Sequence, residues 1–231
     1  MLSKWWPFLF MGTFATSAFC GDSIKVGIGS DMIDVIGYSS GSLSGPLAPI
    51  YECVFDDADL EVNYTEMPLK RGFKYLDEGK IEALLPLAKS PIRDRRGLFA
   101  GELFVADYVF VALDSIAVLE ETVDLRYVAP RGFIGSELIQ DHDAQIYEVT
   151  EWSQAVSMLR YDRADVAVLP ELLVGKLFDH DTVDLYQRFA GTLPISLYLA
   201  DKTQKTSVAS AVIAAVKNCS VDNFIQPNLL R

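Results

Sequence analysis

Three cysteines and two histidines are the residues of this chain best equipped for metal or redox chemistry, and their spacing restricts both. His142 and His180 have no Cys or His partner within a few residues, so no zinc-type ligand set forms. Cys20, Cys53 and Cys219 are widely separated. Cys53 and Cys219 could pair in an oxidising compartment or pack as two small buried hydrophobes, and spacing leaves both readings open. The chain has no nucleophile elbow, phosphate loop or complete dinucleotide fingerprint. Gly27-Ile28-Gly29 follows a strand-like run but lacks the third glycine on schedule. No enzymatic activity and no cofactor are therefore expected.

Composition sets the frame around these residues. The 231 residues are 50% hydrophobic and 23% charged, enough for one large domain or two lobes with separate cores. A formal net charge of −12 repels phosphate backbones, so no nucleic-acid partner is expected.

Residues 1–20 read as a secretory signal peptide. Lys4 is followed by an apolar run and the small residues Thr16, Ser17 and Ala18, with no acid before Asp22. Cleavage after Ala18 or after Cys20 would suit this layout. As a membrane anchor, the apolar stretch from Trp5 to Cys20 falls short of the roughly 20 residues a spanning helix needs. Cys20 before Gly-Asp would suit acylation and a lipid anchor, except that Phe19 stands where a small residue is usual. A soluble, monomeric protein in the periplasm is the expectation.

The remaining elements alternate. A strand over Ser23–Gly29, a Gly/Ser-rich loop over Gly37–Gly45, a helix from Pro46 to Phe55, a strand over Leu60–Tyr64, a helix over Leu69–Asp77 and a strand over Ile81–Leu85 follow in order. Strands at Arg126–Ala129, Ile146–Val149 and Val166–Leu169, with a helix at Trp152–Arg160, repeat the scheme. The runs GKIEALLP (Gly79–Pro86) and DRADVAVLP (Asp162–Pro170) look alike, each placing a cation two residues before an acid and ending in Leu-Pro. The expected architecture is α/β with two lobes, each a mixed sheet flanked by helices. Lobe 1 comprises 21–110 plus 196–231, including a last helix at Ser207–Asn218, and lobe 2 comprises 111–195. The chain is expected to cross between them near Tyr108–Leu113 and Thr192–Leu199. Ligands bind beyond the carboxyl ends of strands in such sheets, which puts a site in the cleft between the lobes.

The stretch RGFKYLDEGKIEALLPLAKSPIRDRRGLFAGELF, Arg71 to Phe104, resembles the bacterial extracellular solute-binding proteins of the polar-amino-acid type (family 3), the periplasmic receptors of ABC importers. The matching residues are Gly79, Ile81, Glu82 and Ala83, then Ser90, Pro91, Ile92 and Arg93, then Phe99 to Glu102. Arg163 to Val166 is similar to the second-lobe element. The resemblance implies a type II periplasmic-binding-protein fold, hinge closure around a small polar ligand, and a partner permease or membrane sensor that reads the closed form.

It also implies site residues. Arg93 matches the arginine that grips the ligand carboxylate bidentately, with Ser90 beside it and Arg95 and Arg96 close by in the same basic run. Tyr38 matches the aromatic that lies against the ligand. Gly132 and Ser136 match a loop whose backbone N–H groups and hydroxyl hold an anionic group. The family's ammonium-binding aspartate falls at Pro170 here, leaving Glu171 as its substitute or a ligand without an α-ammonium group. Some proteins of this fold are cyclohexadienyl dehydratases, in which Glu171 or Glu102 would be the general acid. A scaffold that has lost its ligand is the third possibility.

Overall fold

The computed structural model describes residues 22–113, 125–140, 144–178, 184–203 and 206–220. Residues 1–20, where the sequence leads one to expect a signal peptide, with Cys20, and both histidines lie outside the described residues.

The chain opens with strand β1 (Asp22–Gly29), the hairpin β2 (Gly37–Ser39) and β3 (Ser42–Ser44), helix α1 (Ala48–Asp57), strand β4 (Leu60–Met67) and helix α2 (Leu69–Asp77). Short strands β5 (Ala83–Leu85) and β6 (Leu87–Ala88) and helix α3 (Pro91–Asp94) lead into the long strand β7 (Gly97–Ala112). Strands β8 (Arg126–Pro130) and β9 (Gln145–Val149), helix α4 (Trp152–Arg160), strand β10 (Val166–Pro170) and helix α5 (Glu171–Leu177) follow. The second long strand β11 (Tyr186–Ala200) and helix α6 (Ser207–Cys219) complete the described fold.

One sheet runs through both halves in the order β4-β1-β5-β11-β7-β10-β8-β9, with β6 also paired to β11. The outer strands on each side pair in parallel, as crossover helices require. The two long central strands pair antiparallel from Tyr186↔Ala112 to Ala200↔Gly97. The chain thus crosses between halves within continuous strands rather than through loops. Shifts of register between Phe189 and Gly191, and again after Ile195, let this ribbon bend. Strands β5 and β10 are buried along their length and read as unbroken apolar runs, as strands covered on both faces must.

The similarity of GKIEALLP and DRADVAVLP has a structural cause. After α2, Gly79 takes a left-handed φ of 60°, and after α4, Asp162 takes one of 50°, so both helices end in the same turn. The acid of each run then clasps the neighbouring strand in both directions. Glu82 accepts the Lys25 N–H at 2.7 Å and its own N–H donates to the Lys25 carbonyl at 2.7 Å. Asp165 accepts the Arg126 N–H at 2.7 Å and donates its N–H to the Arg126 carbonyl at 2.8 Å. The acid is therefore a strand-registering group in each half. The Arg126 guanidinium adds further bonds to Asp165 and holds its carboxyl below the usual carboxylate range.

The Gly/Ser-rich segment is a hairpin rather than an open loop. Ser40 and Gly41 both have positive φ, the backbone combination that matches the twist of a two-residue turn. Cys53 and Cys219 form a disulfide that staples α1 to α6 across a sequence separation of 166 residues. Among the described residues, no helix is long and apolar enough to cross a membrane, and no group of His, Cys, Asp and Glu could hold a metal.

Candidate interlobe binding site

Three turns at the carboxyl ends of strands converge between the halves. The segment after β1 carries Asp31, the one after β6 carries Ser90 and Arg93, and the one after β8 carries Gly132 and Ser136. The last two enclose a cavity of about 250 Å³, lined on one side by Phe73, Ser90, Arg93 and Arg96 and on the other by Gly132, Phe133, Ser136, Glu137 and Glu148. A smaller space of about 30 Å³ adjoins it, sharing Arg93, Phe133 and Ile134, with Asp31 and Tyr108 in its wall.

Arg93 is held by its own short helix. Ser90, in extended conformation, accepts the Arg93 backbone N–H on its hydroxyl oxygen at 3.3 Å, and Pro91 fits the first helical turn of α3. The hydroxyl of Tyr198, on β11, donates to Asp94 and pins the helix to the sheet. The Arg93 guanidinium donates to the Ala88 carbonyl in the first half and, at 3.2 Å, to the Gly132 carbonyl in the second. A guanidinium has five N–H donors, so these contacts position it and leave others for a ligand. The side chain is only 7% exposed and makes no ion pair with any described residue. Burial pulls its pKa down to about 10, which still leaves it charged at neutral pH. A buried charge with no counter-ion is costly unless something negative completes it.

Phe73 of α2 sits beneath two guanidiniums, Arg93 at 5.0 Å and Arg96 at 5.7 Å from its ring centre. Arg96 is also paired with Asp77. The wall from the second half is acidic, through Glu137 and Glu148.

Asp31 is the opposite pole. It is 8% exposed, and among the described residues neither carboxylate oxygen has a hydrogen-bond partner beyond its own backbone N–H. Burial, with a smaller contribution from the negative charge of Glu151, pushes its pKa up to about 6. Beneath the cavity, Phe133 packs edge-on against Trp152 at 4.8 Å and lies 5.6 Å from Tyr108.

The structure thus brings together Arg93, Ser90, Gly132 and Ser136. Gly132 contributes its carbonyl to Arg93, and the Ser136 hydroxyl donates to the Phe133 carbonyl at 2.9 Å, closing its own turn. Tyr38 and Glu171 do not line this cavity. The ring of Tyr38 lies 5.1 Å from that of Tyr64, and its backbone N–H donates to Glu66 at 3.1 Å. Glu171 is exposed at the start of α5, and Glu102 is exposed and paired with Lys89 at 3.2 Å. Asp31, Phe73, Glu137 and Glu148 were not singled out from the sequence, whereas Arg96 was named there as a near neighbour of Arg93. Asp31 had a signal: it stands two residues beyond the carboxyl end of β1, where open sheets bind ligands.

Comparison with solved structures decides the architecture. The arginine-bound form of a truncated ArgBP from T. maritima superposes with a TM-score of 0.70 at 16% identity, covering 85% of this chain and 95% of that one. A Streptococcus pneumoniae ABC uptake transporter substrate-binding protein with bound histidine gives 0.69 at 17% identity, covering 87% of each. The GluR0 ligand-binding core in complex with L-glutamate gives 0.70 at 13% identity, covering 86% and 92%. The fold is that of the two-lobed periplasmic binding proteins. At these identities the likeness carries the binding-protein fold and not the ligand. No family profile matches the chain, and no curated protein does.

Proposed function

We propose that the protein reversibly captures a small polar ligand carrying a carboxylate, such as an amino acid, by closing two lobes around it. The observation that carries this reading is Arg93, a buried cation without an ion pair among the described residues, at a cavity walled by both halves. Arg93 takes the carboxylate as a fork, with Ser90 beside it and the Gly132–Ser136 turn opposing it. Asp31, Glu137 and Glu148 offer acceptors to a cationic group, which answers the absence of an aspartate at Pro170. Tyr38 and Glu171 have no part in this assignment, because neither reaches the cavity wall. The arginine, histidine and glutamate held by proteins of like fold are all zwitterions with an α-carboxylate, which supports the same ligand class.

In this reading residues 21–110 with 196–231 move as one lobe and 111–195 as the other. The bending ribbon of β7 and β11 serves as hinge. Ligand that touches both lobes stabilises the closed form by differential affinity. Export directed by residues 1–20 places the monomer in the periplasm, where an ABC importer permease, or alternatively a membrane sensor, reads closure.

A thermal-shift screen of the chain without residues 1–20 against amino acids, organic acids and simple amines tests the reading. A ligand at about 100 times its dissociation constant stabilises the fold by roughly 2.7 kcal/mol. Shifts confined to carboxylate-bearing compounds are expected. Shifts with amines alone, or with none of the compounds, would overturn it.

A further inference from the structure

We propose a second binding site, for a small multivalent anion, on the outer rim of the cleft. A concavity of about 470 Å³ is lined by Lys70, Arg71, Lys74 and Tyr75 of α2, and by Arg131 and Thr150 from the opposite half. It shares no lining residue with the cavity that holds Arg93.

Its charge is out of keeping with the molecule. The chain has 32 acidic against 20 basic residues, yet among the described residues four of those cations and no acid line this one concavity. Lys70 and Arg71 form no ion pair among the described residues. Lys74 reaches Glu78 only at 3.8 Å and Arg131 reaches Glu148 only at 3.9 Å, through largely exposed side chains. Pairs this long and this exposed do little to neutralise their cations. Lys70 and Lys74 are one helical turn apart, an arrangement of like charges that disfavours the helix unless an anion answers it. Thr150 adds a hydroxyl to the ring of donors, and Tyr75 adds an aromatic wall.

Three cations on α2 and one across the cleft cannot be matched by a monovalent ion. The chemistry fits a compact ligand with several negative charges, either phosphoryl groups or clustered carboxylates. Such a ligand would touch both halves at once, independently of what occupies the inner cavity.

Calorimetric titration with inorganic pyrophosphate and, separately, with citrate tests the site and distinguishes the two sources of charge. The proteins compared are the wild type, Lys70→Gln/Lys74→Gln, Arg131→Gln and Arg93→Ala. All three rim side chains are exposed, so their substitution leaves the fold intact, which circular dichroism checks. The expected result is saturable binding of at least one probe, weakened about tenfold by either rim variant and persisting in Arg93→Ala. Affinity should fall as salt is raised, because exposed charges are screened. Absence of saturable binding for both probes would overturn the proposal. So would equal binding by the rim variants, or loss of binding in Arg93→Ala alone.

Discussion

Replacing Asp31 with asparagine should make the protein more stable at neutral pH while weakening its hold on a cationic ligand group. The native carboxyl is raised from an ordinary 3.8 to about 6 because burial disfavours its charged form. That difference, multiplied by about 1.4 kcal/mol per unit, amounts to roughly 3 kcal/mol. The sign follows from proton binding. Between about pH 4 and pH 6 the folded state holds a proton that the unfolded chain has released, so stability falls as pH rises through this window. Above it the full cost of a buried, unpaired carboxylate is present, and below about pH 4 it vanishes. Asp31→Asn removes the pH-dependent part only, since any cost of burying an amide is the same at every pH. Urea denaturation of both proteins at pH 7.5 and pH 4 measures this. The variant's advantage should be larger at pH 7.5 by up to about 3 kcal/mol, or very roughly 6–12 °C in Tm. An unfolding difference that is the same at both pH values would refute the argument, whichever protein is the more stable.

Two further outcomes follow from the scaffold. Cys219→Ser, or reduction of the Cys53–Cys219 bond, should cost about 2–5 kcal/mol because the bridge closes a very long loop; equal melting with and without reductant would contradict this. Asp165→Ala strands the Arg126 N–H at the start of β8 and should cost about 1–3 kcal/mol, read by urea denaturation, whereas Asp162→Asn, which removes the charge of a largely exposed partner and tolerates the left-handed backbone there, should cost well under 1 kcal/mol.

Much of the scaffold was legible in the sequence because it obeys local rules. Helices α2 and α4 occupy the expected residues, Leu69–Asp77 and Trp152–Arg160, since each has a clear apolar stripe and a defined stop. The alternation of strands and helices carried the two-lobed arrangement, and the GKIEALLP-like runs mark equivalent positions in the halves. The long strands β7 and β11 were hidden. Gly101, Gly191 and Pro194 fall inside them, and such residues ordinarily signal turns, but the ribbon shifts register beside Gly191 and beside Leu197, the partner of Gly101. The hairpin at Ser40-Gly41 was masked by serines with little strand propensity.

The site was legible in part. Arg93, Ser90, Gly132 and Ser136 line one cavity from its two sides, having been singled out by motifs whose backbone geometry is local. Phe73, Glu137 and Glu148 reach that region only through tertiary packing, which no spacing in the chain encodes. Tyr38 failed to reach it for the same reason: its hairpin stacks on Tyr64 of β4, at the sheet edge.

The central claim is that a carboxylate ligand completes the buried charge of Arg93. Without residues 1–20, Trp152 is the single tryptophan, and its ring lies 4.8 Å from that of Phe133 in the cavity wall. Titration of Trp152 fluorescence with the best carboxylate ligand, in wild type and Arg93→Ala, tests the claim directly. Saturable quenching or enhancement in the wild type, with affinity reduced by about 2–5 kcal/mol in the variant, is the predicted result. Equal affinity in the two proteins would contradict it.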